Sequence, residues 1–135
     1  MNDEQSKRLS EAADAVIQAS DAVDDARDSL NDKRFDSELE RERIQAGQQI
    51  ANKLDGAGKK IEDALRRGTV AAAALGRPGA YAKFQEAKAA AREGRALGKS
   101  AADQDGTANK RQRAQEAIEK LDAALTSAAA IVFGE

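Results

Sequence analysis

Three stretches of this chain carry residue types that could do chemistry, and each departs from the pattern its chemistry needs. Gly94-Arg-Ala-Leu-Gly98-Lys99-Ser100 has the glycines, lysine and hydroxyl of a phosphate-binding loop. Such a loop needs four residues between its glycines, so that backbone N–H groups wrap the phosphates. The first glycine would then stand at 93, where this chain has Glu93. The loop also follows a strand, whereas Lys88-Ala-Ala-Ala-Arg92 reads as helix. On a helix, Gly-x-x-x-Gly instead lets a second helix come close. Asp103-x-Asp105-Gly106 resembles the middle of a calcium loop. With Gly106 aligned on the loop's glycine, Ala101 stands where the first aspartate ligand belongs. Gln112 stands where the bidentate glutamate belongs. A polar turn, with Asp105 or Thr107 capping the next helix, accounts for these residues.

The third stretch is acidic. Asp14, Asp21, Asp25 and Asp28 line one side of a predicted helix at spacings of seven, four and three. Dinuclear carboxylate centres in helical bundles add Glu-x-x-His motifs. This chain has no histidine and no cysteine, which also removes the commonest general base and thiol chemistry. No catalytic residue, cofactor or metal ligand is assigned, and a non-enzymatic protein is expected. The aspartates read as a solvated stripe or a surface for a basic partner. Lys59-Lys60, Arg66-Arg67 and Lys110-Arg111-x-Arg113 are the basic clusters. The second suits a helix C-terminus. The third falls at a helix N-terminus, where cations are disfavoured and something must compensate, such as acids from the first helix or a phosphate. A pI near 5.4 and 3% aromatic residues argue against nucleic acid as the main partner.

These residues must be positioned by helices. Leu9, Val16, Val23 and Leu30 recur every seven residues, with Ala12, Ala19 and Ala26 between them. That heptad predicts a first helix over 3–31 whose narrow seam lies against another helix. A second helix is expected over 37–75, on the line of Leu39, Ile44, Ala46, Ile50, Leu54, Ala57, Ile61 and Leu65. Gly56-Ala-Gly58 is its expected kink or point of close approach. Gly76-Arg77-Pro78-Gly79 breaks the chain. A third helix is expected over 80–102, with Tyr81, Phe84, Lys88, Ala91, Arg95 and Gly98 on one face. A fourth is expected over 108–133. Nothing alternates with period two, so the fold class expected is all-α. It would be one domain (1–135) of elongated hairpins or a bundle of three to four helices with alanine-rich seams.

Composition limits the core. The chain holds 31 alanines but only 24 larger apolar residues. Leu, Ile, Val and Phe number 22 of 135, below the ~20% that a self-sufficient core normally needs. Completion by oligomerisation or a protein partner is therefore expected. Charge is uneven: residues 1–36 carry ten acids and five bases, net −5. Residues 37–68 are net +1 (six acids, seven bases) and 69–106 net +2 (four acids, six bases). Ordinary solvated faces account for this pattern; the alternative sets the acidic first helix beside the basic second and third segments. At the C-terminus Ile131, Val132 and Phe133 cannot all face one seam, and are expected to contact a partner. The first eight residues hold no apolar run, and none elsewhere approaches a membrane span. An intracellular or virion setting without a secretion signal is expected, with membrane contact at most peripheral.

A helical chain rich in Ala, Gln, Arg and Gly and free of Cys is similar in style to internal core proteins of tailed bacteriophages. The similarity is one of composition, and it implies a structural or assembly role. The stretch from Ala80 to Lys99 resembles late-embryogenesis-abundant proteins, which implies a lipid-surface or protectant role. The strict heptad and the lack of a clean eleven-residue repeat favour the assembly reading.

Overall fold

The first helix begins where its cap allows. Asn2 accepts the Gln5 N–H at 2.8 Å, and Gln5 Oε1 accepts the Asn2 N–H at 2.9 Å. This reciprocal pair satisfies two N–H groups that the first turn leaves free. Gln5 then donates through Nε2 to the carbonyl of Ala74, 2.9 Å away at the far end of the second helix. One side chain thus starts one helix and helps finish another.

The structure is a computed structural model and describes residues 2–76, 79–102 and 107–133. Its helices are α1 (Asp3–Asp28), α2 (Glu40–Ala74), α3 (Ala80–Ala102) and α4 (Thr107–Phe133), with no strand among the described residues. The all-helical reading holds, and four helices pack as one bundle. Two boundaries differ from expectation. The heptad runs to residue 31, but α1 gives way at Ser29 to a tighter 3₁₀ turn, Ser29–Asn31. A second such turn, Lys33–Asp36, delays α2 until Glu40. Asp32 caps that turn by accepting the Arg34 N–H at 2.9 Å.

α2 runs without a break through its glycines. It ends where Gly76 adopts φ +70°, a left-handed conformation that glycine takes freely. Residues 77–78, the centre of the expected breaker, lie outside the described residues. So does the calcium-like turn at 103–106, together with the capping side chains expected there and the side chain of Tyr81.

Neighbouring helices run antiparallel. Glu11 meets Arg67 and Asp25 meets Lys53 across α1 and α2. Asp55 meets Arg95 across α2 and α3, and Glu93 meets Lys120 across α3 and α4. α1 and α3 both pack on α2 and α4, so they stand diagonally across the bundle. The acidic helix therefore lies beside α2 and α4 but across from α3.

The interior is made largely of small side chains. Sixteen of the 27 buried apolar residues described are alanine. Phe35, Ile50, Leu54, Ile61, Leu65 and Leu121 are the largest fully buried ones. Glycines bring the helices closer still. A methyl group on Gly98 would stand 2.7 Å from Leu54 Cβ, and one on Gly94 2.8 Å from Leu121 Cγ. The stretch that resembled a phosphate loop is thus helix, with its two glycines set against α2 and α4. The accessible surface is 7507 Å², against about 6,800 Å² for an average monomer of this mass. The excess fits a slender bundle whose longest helix spans ~52 Å.

Candidate functional site

The heptad residues of α1 lie against the rest of the bundle. Ala12, Val16, Ala19, Val23 and Ala26 are buried, while Leu9 and Leu30 pack on the core's edge. The side chains on the opposite face of α1 are exposed. Asp14, Asp21 and Asp28 stand there, and none has an ion-pair partner among the described residues. Asp25 is drawn aside to Lys53 at 3.3 Å. Ile17 lies between Asp14 and Asp21 on the same ridge and is 56% exposed.

A second surface lies between α2 and α3. It is a groove of about 350 Å³ lined by Lys59, Glu62, Asp63, Arg66, Phe84, Lys88 and Arg92. Four cations thus face two carboxylates. The Lys88 ammonium stands 5.5 Å from the centre of the Phe84 ring, within reach of its negative face. Lys59 pairs with Asp55 at 3.2 Å, Arg66 with Asp63, and Arg92 with Glu62 at 3.8 Å. Exposed pairs of this kind contribute only ~0–1 kcal/mol each, so the cations can exchange partners readily.

Arg95 forms the floor beside this groove. Its Nε donates to Asp55 at 2.9 Å and a terminal nitrogen donates to Glu62 at 2.7 Å. Its aliphatic stem fills the space that Gly58 leaves. Burial pushes the Asp55 carboxyl up, but hydrogen bonds from Arg95 and Lys59 outweigh it and hold the group below the usual carboxylate range. Donating that hydrogen bond to Asp55 in turn raises Arg95, so this pair stays ionised.

In the basic cluster at the start of α4, Arg111 is compensated by protein groups. Arg111 grips the Asp36 carboxylate through two hydrogen bonds of 2.9 Å and donates to the Leu30 carbonyl at 3.2 Å. Its guanidinium stacks 5.1 Å from the centre of the Phe35 ring. The hydrogen bond from Arg111 lowers the Asp36 carboxyl. Hydrogen bonds from the Arg34 side chain and backbone do the same for Asp32. Phe35 went unmarked in the sequence reading, although a lone aromatic between charged residues is a fair sign of an anchored turn.

The three apolar residues of the last helical turn divide. Ile131 and Val132 are buried within the chain, at 3% and 1% exposure, and Phe133 is 54% exposed. Gly68 of α2 provides the notch: a methyl group there would stand 2.9 Å from Val132. Ile131 and Val132, two of the three residues expected to meet a partner, are therefore covered within the chain, and Phe133 stands exposed.

Among the described residues no cluster of three or more Asp or Glu is placed to hold a metal ion, and no helix is long and apolar enough to cross a membrane. Comparison with family models, with curated proteins and with solved structures finds no match.

Proposed function

We propose that the chain is a non-enzymatic helical assembly protein, which packs with copies of itself or with a protein partner. An internal component of a virion is one setting that fits this role. The observation that carries the reading is where the large apolar residues go. Alanine fills most of the interior, yet Ile17, Leu39, Ile44, Val70 and Phe133 all stand exposed. That is five of only 24 larger apolar residues in the chain. They are spread over α1, the start of α2, its end, and the tip of α4. Apolar residues scattered singly are ordinary on a monomer, so what counts is their share: a core this poor in large residues leaves about a fifth of them outside, where contact with other subunits would cover them.

The protectant alternative needs helices that are free until dried or bound to lipid. Here α3, the stretch that suggested it, is packed on both α2 and α4 with Ala87 and Ala91 buried, and this favours the assembly reading. Light scattering with circular dichroism over a concentration series tests it. The expected result is a helical chain whose mass rises with concentration. A helical monomer at every concentration, with no mass gain, would refute self-assembly and leave only packing with a different protein. Helix appearing only on vesicles would do so in favour of the lipid-surface reading.

A further inference from the structure

We infer that the basic groove between α2 and α3 receives the acidic outer ridge of α1 from a second copy of the chain, so that copies join head to tail. This rests on the assembly reading and gives it a contact.

Charge complementarity is the first ground. The ridge presents Asp14, Asp21 and Asp28, none held by an ion pair among the described residues. The groove presents two more cations than carboxylates. Its cations are engaged only in pairs near the surface or with the face of Phe84, so a partner's carboxylates can draw them away at little cost.

Spacing is the second ground. Asp14 and Asp21 are seven residues apart on one helix, ~10.5 Å along its axis. Lys59 and Arg66 are also seven apart on α2, with the same ~10.5 Å. A helix laid along the groove can meet both cations with both carboxylates. Ile17 sits midway between the two aspartates, and Phe84 lines the groove. An aliphatic knob on the incoming ridge thus has an aromatic wall to rest against. Apolar contact of this kind, ringed by charge, excludes water from the ion pairs around it.

Topology is the third ground. α1 stands diagonally from α3, and its outer face points away from the bundle, so the ridge and the α2/α3 groove look in different directions. One molecule cannot close its own ridge into its own groove. The contact uses two different patches, so it is heterologous and leaves a free ridge and a free groove at the ends. Growth continues into a ring or a filament.

The experiment is a charge swap in the full chain, read by sedimentation velocity at about 0.05 M and 0.5 M salt, with helicity checked by circular dichroism. Wild type should associate at low salt and weaken at high salt. Asp14→Lys/Asp21→Lys gives a basic ridge facing a basic groove. Lys88→Glu/Arg92→Glu gives an acidic groove facing an acidic ridge. Each alone should associate about tenfold more weakly or worse. Mixed one to one, each variant's groove meets the other's ridge with opposite charge, and association should return. Ile17→Ser, at an exposed position that does not threaten folding, should weaken self-association of an otherwise native chain.

A wild type that assembles while both swaps assemble as well would overturn this contact and leave the assembly reading standing. A mixture that stays apart when wild type associates would overturn the contact too. A wild type that is monomeric throughout would overturn this contact and self-assembly with it. If that monomer bound polyphosphate, and Lys88→Glu/Arg92→Glu abolished the binding, the groove would belong to a phosphate-bearing partner and the inference would be wrong.

Discussion

Gly98→Ala and Gly56→Ala should move stability in opposite directions, although both replace a glycine inside a helix. In an open helix, alanine is favoured over glycine by ~1 kcal/mol. Nothing lies within 4 Å of a methyl group at position 56. Gly56→Ala should therefore stabilise by about 0.5–1 kcal/mol. At position 98 the new methyl would stand 2.7 Å from Leu54 Cβ, an atom next to the α2 backbone. Carbon atoms prefer ~3.5–4 Å, so the two helices must part by close to an ångström. Overpacking of this kind costs about 1–3 kcal/mol, and the helix propensity of alanine returns ~1 of it. The net loss is ~0–2 kcal/mol, and the two variants should differ by roughly 1–3 kcal/mol. For a chain of this size that is roughly 3–12 °C in Tm. Urea melts followed by circular dichroism give the free-energy difference, and thermal melts the shift in Tm. A Gly98→Ala protein as stable as Gly56→Ala would refute a close approach of α2 and α3 at this point.

Val23→Asp puts a carboxylate where the side chain is 1% exposed; it should cost at least ~3 kcal/mol in the same melts, whereas Ile17→Asp on the exposed face should change monomer stability by less than ~0.5 kcal/mol. Arg111→Ala removes the clamp on residues 30–36, and amide exchange in that segment should quicken by about tenfold while the centre of α2 is unchanged. Asp32, Asp36 and Asp55 are all held below the usual carboxylate range in the folded chain, so the stability they contribute is full above the unfolded value near pH 4 and is lost as pH falls through their folded values. With no histidine to titrate, Tm should be level from about pH 5 to 8 and drop below about pH 4, and Asp55→Asn should make that acid drop shallower.

The helices were legible because their signals are local. The 3–4 spacing of Ala114, Ile118, Leu121 and Leu125 marks α4, and the heptad of α1 marks the face that is buried. Gly94 and Gly98 were readable as points of close approach because only spacing on one helix is involved. What could not be read depends on residues far apart in the chain. Gly68 makes the notch that buries Val132, and no pattern near either residue shows it. Arg111 looked unfavourable at a helix start because its partners, Asp36 and Phe35, are supplied by another connection. The separation of the acidic ridge from the basic groove follows from which helices stand diagonally. Composition alone cannot give that order, and the alternative it offered, the acidic helix against both basic segments, holds for α2 but not for α3.

The alanine-filled interior has a thermal consequence. Unfolding heat capacity comes mainly from apolar surface newly exposed to water, and an average chain of 135 residues would show about 1.6–2.0 kcal/mol/K. Here 16 of the 27 buried apolar residues described carry a single methyl group, so less apolar area is hidden per residue and the increment should fall below that range. A small increment flattens the curve of stability against temperature. The bundle should keep a low but nearly constant margin over a wide span, with weak cold destabilisation, rather than a sharp optimum.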